Sequence, residues 1–480
     1  MTGAETQYEP VIGLEIHVQL KTRTKMFCGC ELSFGDEPNV HTCPRCLGLP
    51  GTLPVINAQA VHFGIMVGLA LGCEIAPRSQ FHRKNYFYPD LAKGYQISQY
   101  DVPLASGGRL GEVRIHRVHL EEDAGKLVHL GGSGRIDTAD RSFVDFNRGG
   151  TPLAEIVTEP DLRSPEQARE WLSLLRTTLR AIGVSDVNME EGSLRVDANV
   201  SVRPVGTDTL STKTELKNMN SFRYLAQGVQ AEIDRQVQIL LSGGHVLQET
   251  LHFDPASGRL TSLRSKEEAH DYRYFPEPDL VPLAASDEMI AAARAALPEL
   301  PADRAQRFER QLGLSGERAR ELAFRSELAD YYERVLASGE RVDPVAAANW
   351  IAMLVERIGS DADPVGTQVT PQAFAELVRL LGEKTITRGA GREVLSILVA
   401  DGGMPAEIVA REGLESIATD DGGLAKVVAA AIAADPDAAE KVRGGNLKAV
   451  GPLVGYVMRE TKGRADGGEI NRLIREQLGI

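Results

Sequence analysis

Acidic and imidazole side chains occur at alternate positions near the beginning of this sequence. Glu15 and His17 lie two residues apart within Val11–Leu20, where apolar and polar residues alternate without a break. Successive side chains of a strand point to opposite faces, so this pair shares a face and lies about 7 Å apart along the strand. That spacing suits two ligands of one metal ion, although an ordinary strand with a solvated face has the same pattern.

A second acidic stretch spans Val118–Lys126 and contains three consecutive acids. If it is a strand, His119, Glu121 and Asp123 share one face. Bringing acids together without a cation is costly, because like charges repel and raise one another's pKa. An isolated stretch of this kind would be a solvated turn. Together with the first stretch, and with Glu155 on a further strand-like segment, it predicts an oxygen-rich site for a divalent cation.

Four cysteines form two close pairs, Cys28-Gly-Cys30 and Cys43-Pro-Arg-Cys46. Such spacing is typical of a closed tetrahedral zinc site, and four thiolates with no open position predict a structural role. The alternative is a set of unrelated free thiols. The fifth cysteine, Cys73, stands apart, and we expect it to be a core thiol.

Alternating strands must position these side chains. The alternation of apolar and polar residues recurs in 194–203. In 213–218 it places Lys213, Glu215 and Lys217 on one face. We predict an antiparallel sheet with helices over 165–182 and 222–241 on one face and a concave, charged floor on the other. The aromatic stretch Arg83–Asp90 is interpreted either as a loop over a nucleotide or a tRNA end, or as a rigid turn against the core.

From Ser286 onward the sequence has helical patterns only, with caps and breakers between them. The predicted fold class is therefore α+β, with a catalytic sheet domain over 1–290, a helical domain over 291–400 and a helical tail over 401–480. The predicted helices are 287–297, 302–312, 316–324, 327–338, 344–358, 371–382 and 389–400, followed by short helices in the tail.

Charge is distributed unevenly in this acidic chain. The formal net charge is −14, so a polyanionic partner must be held by local patches. Residues 401–440 contain two cations and nine acids, whereas 441–476 contain eight cations and four acids. The second segment is either a solvated helix surface or a local face for nucleic acid. The cations are Lys441, Arg443, Lys448, Arg459, Lys462, Arg464, Arg472 and Arg475.

Several common signals are missing from the sequence. We find no signal peptide and no apolar span of membrane length, so we expect a cytoplasmic protein without a membrane partner. There is no phosphate-binding Gly-x-x-x-x-Gly-Lys loop and no dinucleotide fingerprint. No cysteine lies in a glutaminase-like setting, so another chain must release any nitrogen that the protein uses.

The motifs taken together resemble the family of B subunits of aspartyl/glutamyl-tRNA amidotransferases. The likeness covers nearly the whole chain, although the zinc cysteines occur only in some members. The matching segments are 11–17, 83–89, 95–99, 121–126, 148–156, 159–161, 189–201, 215–218, 220–222 and 271–279.

This resemblance implies an α+β cradle related to glutamine synthetase, a small tRNA-binding tail, and two partners. One partner is the amidase, or A subunit, which hydrolyses glutamine, and the other is the small C subunit. The resemblance also implies ATP and Mg²⁺, with Mn²⁺ as an alternative because histidine is an unusual Mg²⁺ ligand. The implied catalytic and metal residues are Glu15, His17, Glu121 and Glu155, with Glu122 and Asp123 in support, and our candidates for phosphate contacts are Arg195, Lys217 and Arg273.

The expected reaction is an ATP-dependent ligation. Phosphorylation converts the side-chain carboxylate of Glu-tRNA(Gln) or Asp-tRNA(Asn) into an acyl phosphate that ammonia can attack, and the protein positions groups and neutralises charge. One alternative is a free-standing amine ligase, which would need no tRNA. The other is a tRNA-binding adaptor without catalysis, in which the acids are merely solvated. The sequence does not distinguish the two misacylated tRNAs.

Overall fold

The computed structural model describes residues 7–131, 139–255, 257–264, 272–338, 341–359, 364–416, 423–461 and 463–480. The chain forms two compact units, residues 1–300 and 301–480. Within the residues that the structure describes, the first unit contains all the strands and four α-helices, and the second contains helices and no strand.

Most strands of the first unit belong to one nine-stranded sheet. Its order is β13-β12-β11-β10-β1-β9-β6-β5-β2, and every neighbouring pair is antiparallel except β11 and β12. A three-stranded sheet (β14-β3-β4) and a hairpin (β7-β8) complete the unit. The strands are β1 (Tyr8–Gln19), β2 (Glu74–Ile75), β3 (Phe81–Asn85), β4 (Tyr95–Gln99), β5 (Ala105–Leu110), β6 (Val113–Glu122), β7 (Lys126–Leu130), β8 (Arg141–Asp145), β9 (Pro152–Thr158), β10 (Leu194–Pro204), β11 (Thr214–Met219), β12 (Thr250–Asp254), β13 (Arg259–Arg264) and β14 (Phe275–Pro276).

The sheet has one apolar and one charged face because its central strands alternate as the sequence does. Ile12, Leu14, Ile16 and Val18 of β1 are all completely buried. They form a single core with residues of α1 (Ala58–Ala70), α2 (Pro165–Ala181), α3 (Phe222–Leu241) and α4 (Asp287–Ala296). The helices therefore cover one face, and the ionisable side chains of the same strands lie on the other.

The two covering helices that the sequence predicts begin at side-chain caps. The hydroxyl of Ser164 accepts a hydrogen bond from the backbone N–H of Gln167, and Pro165 occupies the first turn of α2. The hydroxyl of Ser221 accepts one from Tyr224 in the same way at α3. Both predicted helices are confirmed to within one residue.

The second unit contains two separate hydrophobic cores, one within residues 305–414 and one within 424–478. The seven helices predicted between 287 and 400 are confirmed to within two residues at each end. The helices are α5 (Pro301–Leu312), α6 (Gly316–Ala323), α7 (Ser326–Leu336), α8 (Pro344–Ile358), α9 (Pro371–Gly382), α10 (Arg388–Asp401), α11 (Pro405–Glu412), α12 (Gly423–Ala434), α13 (Pro436–Arg443), α14 (Gly451–Glu460) and α15 (Gly467–Leu478).

The α+β class is confirmed by this arrangement. The first unit ends at residue 300, because α4 packs against α1 and belongs to the sheet unit. Of the helices in the described residues, none is both long and apolar enough to cross a membrane.

Candidate active site and candidate metal centres

Four side chains form a row across the charged face of the sheet. In the strand register, Arg195 of β10 pairs with His17 of β1, His17 pairs with Glu155 of β9, and Glu155 pairs with His119 of β6. Directly paired residues of antiparallel strands point to the same face. Residues from four distant segments of the chain therefore meet in a single line.

Two imidazoles and two carboxylates are in close contact at the centre of this row. The Nε2 atom of His17 lies 3.5 Å from Glu155 and 3.6 Å from Glu121, and that of His119 lies 3.0 Å from Glu155 and 3.6 Å from Glu121. His17, Glu121 and Glu155 can each offer one ligand atom within 4.8 Å of the others. This donor set suits a divalent cation.

Burial and charge oppose each other in this cluster. Burial lowers the pKa of His17, but the hydrogen bond and charge of Glu155 and the charge of Glu121 raise it above its ordinary value of 6.5. Burial likewise disfavours the charged form of His119, yet the charges and hydrogen bonds of Glu155 and Glu121 raise its pKa to about 9. Burial alone would raise the pKa of Glu155, but the imidazoles hold it well below its ordinary value. The imidazoles thus favour the ionised carboxylates, and the carboxylates in turn favour the protonated imidazoles.

Glu15 lies outside this compact set. It faces a cavity of about 760 Å³ that lies over the cluster, one row away from His17, and its Oε1 atom accepts a hydrogen bond of 2.9 Å from the Asn199 amide. In its row, Glu15 pairs with Asp197 on one side and Val157 on the other. Its place as a direct ligand therefore remains a prediction.

Glu122 lies apart from the cluster, contrary to the sequence-based expectation. Strand β6 alternates, so the carboxylate of Glu122 leaves the charged face, forms an ion pair with Lys93 and accepts a hydrogen bond from the Ile97 backbone N–H. Asp123 is also engaged elsewhere: its Oδ2 atom accepts a hydrogen bond from Arg195 at 2.9 Å. Neither residue belongs to the compact ligand set.

The three predicted phosphate contacts have different surroundings. Arg195 lines a smaller cavity of about 300 Å³ beside the cluster, and Lys217 lines both cavities. Lys217 forms ion pairs of 3.0 Å with Asp197 and 2.9 Å with Glu215. Arg273 is exposed and is not among the described residues that line either cavity.

The main cavity over the cluster has a volume of about 760 Å³. Tyrosines stand at one side of it, where the rings of Tyr100 and Tyr274 stack with centroids 4.3 Å apart. The described residues that line it are Glu15, His17, Lys84, Ser98, Gln99, Tyr100, Arg117, His119, Glu121, Glu155, Asp197, Asn199, Lys213, Glu215, Lys217, Gln248, Glu249, Thr250, Tyr272 and Tyr274.

Sequence reasoning did not select three residues of this site. Strand alternation predicts the correct face for His119 but indicates no role for it. The sequence predicts a loop or turn over Arg83–Asp90, but the first part of that stretch belongs to strand β3, and Lys84 lines both cavities. The pKa of Lys84 is raised because the charges of Glu121 and other neighbours outweigh its burial. Arg117 was missed, and only its alternation with His119 could have indicated it.

The four cysteines form a second candidate metal centre. Their sulfur atoms lie within 4.8 Å of one another, so the predicted grouping of Cys28, Cys30, Cys43 and Cys46 is present. A hydrogen bond with Cys28 lowers the pKa of Cys46 to about 4, and the charge of Lys25 acts in the same direction.

Cys73, by contrast, is buried in the core beside Gly108, as expected. Its pKa is raised to about 11 by burial. It lies outside the group of four sulfur atoms and is a structural thiol.

The cations of the tail are mostly at the surface. Lys441, Arg443, Lys448, Arg459 and Arg475 are exposed, whereas Arg464 is half-buried. Arg472 pairs with Glu469 and Glu476 at 2.5 and 2.9 Å. Lys462 lies outside the described residues.

Two segments of the chain match models of known protein families. Residues 10–291 match the family model of the GatB/GatE catalytic domain, and residues 330–478 match that of the GatB domain. The sheet unit is therefore a catalytic domain of the GatB/GatE class.

Curated relatives match over the full length of the chain. The B subunit of the aspartyl/glutamyl-tRNA(Asn/Gln) amidotransferase of Frankia casuarinae is 50% identical, with 99% of this chain and 96% of the relative covered. The B subunits of the same name from Moorella thermoacetica and Carboxydothermus hydrogenoformans are 50% and 48% identical, with 98% of this chain and 100% and 99% of the relatives covered. The chain belongs to the family of B subunits of aspartyl/glutamyl-tRNA(Asn/Gln) amidotransferases, which confirms the resemblance found from the motifs.

Proposed function

We propose that this chain is the B subunit of a tRNA-dependent amidotransferase and carries out its ATP-dependent ligation step. The side-chain carboxylate of Glu-tRNA(Gln) or Asp-tRNA(Asn) is phosphorylated, and ammonia then converts it into the amide of Gln-tRNA(Gln) or Asn-tRNA(Asn). The observation that carries this proposal is the cluster of His17, Glu121 and Glu155 at the floor of a cavity of about 760 Å³. Cavities of this size are typical of small-molecule sites.

Phosphorylation solves the chemical problem of a poor leaving group. Ammonia cannot readily displace oxide from a carboxylate, but it can displace phosphate from an acyl phosphate. In the first step, an oxygen of the substrate carboxylate attacks the terminal phosphorus of ATP, and ADP leaves with the electron pair of the broken P–O bond. The protein's part in such a reaction is positioning and charge stabilisation.

The residues of the charged face have separate tasks in this scheme. His17, Glu121 and Glu155 would hold a divalent cation, and His119 keeps both carboxylates ionised and oriented. When bound, Mg²⁺ or Mn²⁺ neutralises phosphate charge and acts as a Lewis acid. Lys217 and Arg195 flank the cluster as cationic groups for the phosphates, and Glu15 supports the site from the neighbouring row.

The cysteine cluster is proposed to hold a structural Zn²⁺ ion. The ammonium of Lys25 is fully buried, lies 3.9 Å from the sulfur of Cys46 and donates a 2.9 Å hydrogen bond to the carbonyl of Phe146. A buried ammonium needs an anion nearby, and thiolates bound to a metal supply that charge.

The remaining elements of the proposal concern partners and ancestry. The amidase, or A subunit, supplies ammonia from glutamine, the small C subunit joins the assembly, and the exposed cations of 441–475 contact the tRNA in the cytoplasm. The sheet domain is proposed to be related to the cradle of glutamine synthetase, since both would support an acyl phosphate between a cation site and an ammonia source.

Reconstitution tests the function directly. The complex with its amidase and small partner chains is supplied with glutamine, ATP and each misacylated tRNA in turn, and amidated tRNA and ADP are measured. Product that depends on both ATP and tRNA supports the proposal. Amidation of a free amino acid without tRNA would favour a free-standing ligase. Unchanged amidation by Glu121→Ala would favour a non-catalytic adaptor.

A further inference from the structure

Arg117 occupies a distinctive place on the charged face. It lies on β6, two residues before His119, and pairs in register with Val157, the neighbour of Glu15. Its side chain therefore faces the cavity of about 760 Å³ and lies in the row next to the one that contains Glu155.

The guanidinium of Arg117 has no acidic partner among the described residues. Its Nε atom is buried and makes no hydrogen bond. No carboxylate oxygen of the described residues lies within 4.0 Å of a guanidinium nitrogen of Arg117, the distance that defines an ion pair. Two other cations near the cluster are already paired: Arg195 lies 2.9 Å from Asp123, and Lys217 lies 3.0 Å from Asp197.

A partly buried guanidinium without an ion-pair partner is energetically unfavourable until it binds an anion. Leaving a buried donor without an acceptor is destabilising, and more so when the donor belongs to a charged group. The planar fork of arginine matches the oxygens of a phosphate group in a bidentate manner. Of the described residues that line this cavity, Arg117 is the one arginine; the other cations, Lys84, Lys213 and Lys217, lack the planar fork.

We infer that Arg117 binds the phosphoryl group that is transferred, and this inference rests on the proposed function. Its N–H groups donate hydrogen bonds to the oxygens of the terminal phosphate of ATP while that group moves to the substrate carboxylate. One P–O bond to ADP breaks as one P–O bond to the carboxylate forms, and Arg117 gives up no proton. It stabilises the charge on the phosphoryl oxygens during the transfer.

A phosphate could reach this position from two sources, ATP or the backbone of the tRNA 3′ end. We assign it to ATP because Arg117 lies one strand row from Glu155, one of the three residues that would hold the cation. A contact with the tRNA backbone would instead weaken tRNA binding and lower its salt dependence.

The experiment compares Arg117→Met and Arg117→Lys with Arg109→Ala in the complete complex. Arg109 is the control because its side chain bonds only to the Glu112 carbonyl across the turn between β5 and β6 in the described structure. Turnover is measured as a function of ATP and of misacylated tRNA, and the thermal shift caused by a non-hydrolysable ATP analogue with Mg²⁺ is recorded.

For Arg117→Met, kcat for amidated tRNA falls about 100-fold or more, as for loss of one preorganised donor. KM for tRNA and the basal glutaminase rate stay unchanged, and the analogue no longer raises the melting temperature. Without nucleotide, the variant melts at the wild-type temperature or above, because an unpaired cation has been removed. Arg117→Lys recovers part of the rate, and Arg109→Ala behaves as wild type.

Three results overturn the inference. In the first, Arg117→Met matches Arg109→Ala in turnover and in thermal shift. In the second, only KM and the salt dependence for tRNA change, which assigns the residue to the tRNA backbone. In the third, the variant without nucleotide is destabilised and Arg117→Lys recovers nothing, which indicates a structural role. If the wild-type complex makes no ATP-dependent product with either tRNA, the proposed function fails as well.

Discussion

The two candidate metal centres of this chain are built in different ways. The four cysteines come from 19 consecutive residues, 28–46, and their ligand spacing is set by local turns. His17, Glu121 and Glu155 come from three strands, β1, β6 and β9, that are far apart in the chain and meet only through strand pairing. A local site can be identified from spacing, whereas a dispersed site depends on the register of the sheet.

Their surroundings also differ. The cysteine cluster lies beside a cavity of only about 60 Å³, with a buried ammonium to balance its charge. The carboxylate cluster opens onto about 760 Å³ lined by several cations. The first is suited to hold an ion permanently, and the second has room for a substrate.

We expect the largest effect from a substitution that disrupts the dispersed site of His17, Glu121 and Glu155. Glu155→Gln removes the charge that two imidazoles contact, and loss of several kcal/mol of charge stabilisation lowers amidation about 100-fold or more. Formation of amidated tRNA by the full complex measures this loss. The control is Glu112→Gln, an exposed residue at a turn. Retention of at least a third of the wild-type rate by Glu155→Gln would contradict a catalytic role for the cluster.

Glu15→Gln tests whether Glu15 is a direct ligand in the dispersed site. Because Glu15 lies outside the compact set and accepts a hydrogen bond from Asn199, we expect a smaller loss than for Glu155→Gln, about 10-fold. The ratio of the two rates in one assay checks this order. A loss equal to that of Glu155→Gln would identify Glu15 as a direct ligand.

Breaking the local site should affect the fold more than the chemistry. Cys43→Ser should lower bound zinc from about one equivalent per chain toward zero and reduce the melting temperature, because a structural zinc ion contributes folding free energy. Metal analysis and thermal unfolding measure both effects. The matched control is Cys73→Ala, which changes a core thiol outside the cluster and should retain zinc. Wild-type protein purified without chelator and containing no zinc would contradict the assignment.

The pH dependence of Mn²⁺ binding distinguishes the two centres further. The carboxylates raise the pKa values of His17 and His119, so low pH favours protonated imidazoles. A bound cation must displace the proton of His17, so affinity rises with pH, by up to about tenfold per unit while one proton is released. Calorimetry in buffers of different ionisation enthalpy counts the protons. An affinity independent of pH between about 6 and 8 would exclude His17 as a ligand.

We expect the smallest effect in the tail, where the exposed cations do not line a binding pocket described above. Replacing Lys441 and Arg443 together by alanine should weaken tRNA binding and reduce the slope of log affinity against log salt by about one unit per lost phosphate contact, or somewhat less. Arg411→Ala, which removes a cation paired with Glu412, is the control. An unchanged slope would remove these two residues from the tRNA interface.

Much of the fold was accessible from local patterns. Helices α2 and α3 follow from their serine caps and apolar periodicity, and the strand β1 follows from strict alternation. The error at Glu122 came from treating three consecutive acids as one group, although strand alternation sends neighbours to opposite faces.

By itself, the sequence determined most of the helices, the alternating strands β1, β10 and β11 with their charged positions, and that four cysteines are close together. These properties depend on neighbours within a few residues, so they can be read from spacing. The tertiary structure decided that Glu155 lies between His17 and His119, that Arg195 pairs with Asp123, and that Arg117 faces the cavity without an acidic partner among the described residues. Those facts depend on the register between strands far apart in the chain, and a shift of one residue would send each side chain to the opposite face.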